Sequence, residues 1–120
     1  MSWNRLILGL AMVCAAAAQA QEARCPSHKD KHPLVSGVVY DGPPEQLADL
    51  MPDVTRGKGD HAFASWEVGY IYEAGRNLYL MCRYAGLGDA QAVTVKVETK
   101  VKQCVFRTHA GKLPAELGCK

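Results

Sequence analysis

The sequence predicts a mainly β fold, an antiparallel meander of five or six strands shaped as a curved sheet, a small sandwich or an incomplete barrel. One short α-helix and two disulfides complete the prediction. Three observations carry it. Residues 77–84 alternate bulky side chains, with Leu78, Leu80, Cys82 and Tyr84 on one side and Tyr79, Met81 and Arg83 on the other, the period of a half-buried strand. Residues 92–101 place Val93, Val95 and Val97 inward and Thr94, Lys96 and Glu98 outward. Turn-forming runs at 73–76 (Glu-Ala-Gly-Arg) and 85–89 (Ala-Gly-Leu-Gly-Asp) punctuate these stretches.

In chain order, residues 1–20 open with Asn4 and Arg5, run apolar from Leu6 to Ala18, and end Ala18-Gln19-Ala20. A short positive region, a brief apolar segment and an A-x-A site describe a cleaved secretory signal. Met12 and Val13 before Cys14 are not the small residues of a lipidation site. The mature chain of about 100 residues is the size of one compact domain. Removing the signal takes Arg5 from the 14 basic residues, against 12 acidic ones, for a mature net charge of +1. That balance gives no electrostatic footprint for nucleic acid or an anionic membrane. The expected organisation is a signal peptide (1–20), an irregular arm (21–33) and one β-rich domain (34–120) that is exported.

Four mature cysteines remain, Cys25, Cys82, Cys104 and Cys119. An even count in an oxidising compartment reads as two disulfides, with three pairings possible. Cys25 with His28 and His32 offers a thiolate and two imidazoles to a metal, but a fourth ligand is missing. Oxidised Cys25 and solvated histidines explain the same residues, and no cofactor is predicted.

Residues 34–40 are β-branched and aromatic and read as a strand. The distinctive stretch follows: Asp41, Gly42, Pro43, Pro44, Glu45 and Gln46, then Leu47, Leu50, Met51 and Pro52. Pro43 suits a first helical position, Leu47, Leu50 and Met51 make an i, i+3, i+4 stripe, and Pro52 ends the segment. A two-turn helix laid on the sheet is expected here. Asp41 and Glu45 read as a turn cap and a complement to the helix dipole in preference to a catalytic pair.

Residues 54–62 hold two glycines around Lys58 and read as an exposed loop, without the spacing of a phosphate loop. Residues 63–72 alternate Trp66, Val68, Tyr70 and Tyr72 and read as a strand entering a hairpin with 77–84. In the last hairpin, Gly111-Lys112 suits a type II′ turn. That register sets Arg107 opposite Glu116, Phe106 opposite Leu117 and Cys104 opposite Cys119, within disulfide reach. It favours Cys104–Cys119 and leaves Cys25 to join Cys82.

No serine, cysteine or histidine sits in a nucleophilic motif, and His61 and His109 stand alone, so an enzyme is not expected. Tyr70, Tyr72, Tyr79 and Tyr84 read as core rather than interface. A proline-stiffened acidic loop on a crosslinked sheet is suited to binding, because a rigid loop loses little entropy in a partner's cleft. Asp41, Gly42, Pro43, Pro44, Glu45 and Gln46 are the candidate partner-binding residues.

The order Cys25-Pro26, Tyr40 to Glu45 (YDGPPE), Leu50-Met51-Pro52-Asp53, Trp66, Tyr79 to Tyr84 (YLMCRY) and Cys104 resembles a family of short exported proteobacterial proteins, some encoded in type VI secretion clusters. The resemblance implies a periplasmic immunity protein that binds a secreted, cell-wall-targeting toxin. A lysozyme inhibitor and a periplasmic metal-binding protein are the alternatives.

Overall fold

The computed structural model describes residues 23–120, so the predicted signal at 1–20 lies outside the described residues. Eight strands form two antiparallel sheets. The first contains β1 (His28–Lys29), β2 (His32–Asp41), β5 (Leu78–Tyr84) and β6 (Val93–Val97), in that spatial order. The second contains β3 (Val54–Arg56), β4 (Phe63–Glu67), β7 (Gln103–His109) and β8 (Lys112–Cys119). Among the described residues no helix is long and apolar enough to cross a membrane.

β5 is the spine of the first sheet. Leu78, Leu80, Cys82 and Tyr84 are buried while the residues between them are half-exposed, as strand periodicity requires. Across the sheet Val39 pairs with Leu80 and Leu80 with Val95. These side chains meet Trp66, Cys104 and Leu117 of the second sheet in one core. β2 lies against β8, and Gly37 matters there because a side chain on it would collide with Leu117.

The mainly β class, the short helix and both disulfides, Cys25–Cys82 and Cys104–Cys119, agree with the sequence. The helix is in a different place. The strand expected over 63–72 ends at Glu67, and α1 (Gly69–Glu73) follows. Val68 and Ile71 are fully buried, an i, i+3 pair that one helical turn delivers to the core. Val68 N–H donates to Lys102 O, and Tyr72 Oη–H donates to Val97 O. β4 therefore pairs with β7 rather than β5, and α1 carries the chain from one sheet to the other. Residues 74–76 close α1, with Gly75 at φ 75°, instead of turning a hairpin.

Residues 43–51 do not form the expected helix. A 3₁₀ turn covers Pro44–Gln46 and stops at Leu47, whose backbone is left-handed (φ 56°, ψ 29°). The stretch read as a loop over 54–62 contains β3 and a second 3₁₀ turn, Gly59–His61.

In the last hairpin the Cys104–Cys119, Phe106–Leu117 and Arg107–Glu116 pairs stand as read. The turn itself is displaced. Ala110 and Gly111 both have positive φ (48° and 74°), and His109 pairs with Lys112. Two additional residues in β8, between the His109–Lys112 and Arg107–Glu116 pairs, restore the register.

At the other end of the chain, Arg24 bridges to Gly118, Cys25 N–H donates to Leu117 O, and Cys119 N–H donates to Ala23 O. The free edge of β8 is covered in this way, which removes one open template for aggregation.

Candidate partner-binding surface

Residues 42–53 leave β2, double back along it and cross to β3. Asp41 N–H donates to Ala48 O at 3.0 Å and Leu50 N–H to Val39 O at 2.8 Å. Trp66 Nε1–H donates to Leu50 O at 3.0 Å. Asp53 ends the excursion, its N–H donating to Ser65 O at 2.8 Å and its Oδ2 accepting from Glu67 N–H at 2.6 Å. The loop is thus fixed to both sheets along its length. Between the anchors Leu47 is 79% exposed and Met51 87% exposed. Glu45, Asp49 and Asp53 are exposed beside them, and the loop contains no basic residue.

The six candidates differ in burial and in what they bond to. Asp41 accepts two hydrogen bonds from Arg76, at 2.8 Å from Nε and 3.0 Å from Nη2, and that carboxylate raises the guanidinium pKa above its usual value. The pair holds the start of the loop to the residues that precede β5. Gly42 is buried at φ 88°, with its N–H donating to Asn77 O, a conformation that suits glycine. Pro43 and Pro44 are half-buried, whereas Glu45 and Gln46 are exposed. The last two are the most open of the six.

The sequence reading missed Leu47 and Met51 as surface groups, because their spacing from Leu50 suited a helix face. It also missed Tyr70 of α1, which is 48% exposed. Tyr72 and Tyr84 do belong to the body of the protein. Tyr84 Oη–H donates to Pro26 O at 2.8 Å, and burial raises the pKa of both phenols.

Of the metal candidates, Cys25 is oxidised, His32 Nδ1–H donates to Ala85 O at 2.8 Å, and His28 Nδ1 lies 3.0 Å from Ser27 Oγ. Among the described residues no three His, Cys, Asp or Glu side chains are grouped to hold a metal. His109 Nε2 stands 3.1 Å from Glu116 Oε2.

A family model described as the type VI secretion system Tli immunity protein matches residues 28–120. The chain belongs to this family. The match runs from the start of β1 through β8, so it takes in both sheets and the loop between β2 and β3. No curated protein and no solved structure matches the chain. As a Tli immunity protein the chain acts against a secreted toxin, and its partner is that protein toxin.

Proposed function

We propose that this Tli immunity protein is exported and neutralises its toxin in the periplasm, seating residues 43–53 on the toxin and blocking attack on the envelope. The observation that carries this reading is the loop itself. Leu47 and Met51 stand out from a backbone fixed to both sheets, in a segment that also exposes Glu45, Asp49 and Asp53. Exposed apolar side chains on a preorganised segment contribute binding free energy without a large ordering cost. The acidic surround favours a toxin face that is basic, such as a cleft lined with Lys or Arg.

Two features support the compartment. The first 20 residues have the pattern of an export signal, and two disulfides are stable where the surroundings are oxidising. An antidote held outside the cytoplasm implies a toxin whose substrate is there too, either the cell wall or the membrane lipids.

The test is protection. The toxin encoded beside this gene is directed to the periplasm of sensitive cells together with the full chain, the chain lacking residues 1–20, or a Leu47→Asp, Met51→Asp variant. The full chain is expected to protect and the other two to fail, and the purified double variant is expected to melt like wild type while losing the toxin. Protection by the form without the signal would place the antagonism in the cytoplasm. Unchanged toxin affinity of the double variant would move the contact off the loop. Assays for released wall fragments and for released fatty acids identify which substrate the toxin consumes.

A further inference from the structure

The second sheet has an outer face that the loop-centred reading does not use. Strand register sets Arg56 of β3 beside Phe63 of β4, and Phe63 beside Arg107 of β7. Directly opposed residues in neighbouring strands share a face, so the three side chains form a row. The Arg56 guanidinium carbon lies 5.6 Å from the Phe63 ring centroid and that of Arg107 lies 5.7 Å from it. Both are within cation–π range. The two cations flank one ring, on strands two positions apart, a backbone separation of roughly 10 Å.

Among the described residues neither arginine has a carboxylate at ion-pair distance. Glu116 of β8, the register partner of Arg107, lies against His109 instead. On the next rung of the same face lie Val54, Ser65 and Val105. Val54 is 39% exposed and Val105 half-buried. One aromatic ring between two guanidiniums, with Val54 and Val105 on either side of the buried Ser65, has the residue types enriched at interface cores.

We propose that this face is a second contact area for the toxin, in which Arg56 and Arg107, held against Phe63, bind carboxylates of the toxin. The proposal rests on the toxin being the protein partner, and it does not depend on the loop being a contact. The occupant follows from charge. The Arg fork pairs two N–H groups with a carboxylate, and stacking on the ring pre-orders both forks. The face is also continuous with the loop, since Val54 directly follows Asp53 and Arg56 is three residues further, about 10 Å along the strand. A toxin spanning both areas presents a basic patch to Glu45, Asp49 and Asp53, and an acidic patch to Arg56 and Arg107. That polarity fixes the orientation in which the two proteins meet.

The experiment measures the affinity of the purified full-length protein for the toxin encoded beside its gene, by calorimetry at two salt concentrations. Arg56→Glu with Arg107→Glu is expected to weaken binding by about tenfold or more at low salt, with a smaller loss at high salt. Arg56→Gln with Arg107→Gln adds no repulsion and guards against a folding defect in the reversal variant. It is expected to weaken binding by roughly threefold to tenfold with an unchanged melt. Affinity within about twofold of wild type for the glutamine variant overturns the proposal, whatever the Leu47→Asp, Met51→Asp variant does. Loss of binding in the loop variant alone would keep the loop and remove this face, so the two readings fail separately.

Discussion

Gly37 is where the packing of β2 against β8 can be tested with one methyl group. A Cβ built there would press on Leu117 Cδ2 well inside contact distance and lie 3.1 Å from the backbone oxygen of Met81. Leu117 is 2% exposed, so its side chain has no solvent to retreat into. Adding a methyl to a filled core costs about 1–3 kcal/mol. For a domain of this size that corresponds to a melting point lower by roughly 4–20 °C. The decisive measurement is a cycle with Leu117→Ala, which alone should cost about 2–5 kcal/mol through the cavity it leaves. In that background the clash with Leu117 is gone and only the 3.1 Å approach to Met81 O remains, so Gly37→Ala should cost less by about 1 kcal/mol or more. Thermal and urea melts of the four proteins yield the coupling. If Gly37→Ala costs the same with and without Leu117, within about 0.5 kcal/mol, the two residues do not touch and the stacking of the sheets is wrong.

Replacing Cys104 and Cys119 with Ala opens a crosslink of sequence separation 15 and should lower stability by about 3 kcal/mol in a denaturant melt. Leu47→Asn keeps a residue tolerant of the left-handed backbone. It should leave the melt within about 0.5 kcal/mol but weaken toxin binding by about 1–2 kcal/mol, roughly fivefold to thirtyfold. Tyr72 and Tyr84 keep their protons more tightly folded than unfolded. Their stabilising effect is complete below the unfolded phenol value of about 10 and is lost as pH rises through the folded values. Melts should therefore fall with pH above that point, and a Tyr72→Phe, Tyr84→Phe variant should show a shallower decline.

What was legible in the sequence was short-range. The alternation of β5 named its buried face residue by residue, and the cysteine spacing in the β7–β8 hairpin aligned Cys104 with Cys119. That second success survived an error, because a turn placed one residue late was offset by the bulge in β8. Residues 63–72 failed because Trp66, Val68, Tyr70 and Tyr72 satisfy a period of two while Val68 and Ile71 satisfy a helical turn. In so short a segment tertiary burial decides between them. Residues 43–51 failed for a related reason. The stripe of Leu47, Leu50 and Met51 has helical spacing, but the backbone of Ala48 and Leu50 bonds to β2 instead. The Arg56–Phe63–Arg107 row depends on register across three strands, which neither spacing nor composition encodes.

The bridge between Arg24 and Gly118 makes the fold a clasp. Its two sides are separated by nearly the whole described chain, so it is among the contacts of longest sequence range in the fold. Cys25 is held twice, by its N–H on Leu117 O and by its sulfur on Cys82. The bond to Cys82 fixes the forward half of the clasp near its seat, since Arg24 is the next residue. The covalent bond then shortens the search that the backbone pairing has to complete.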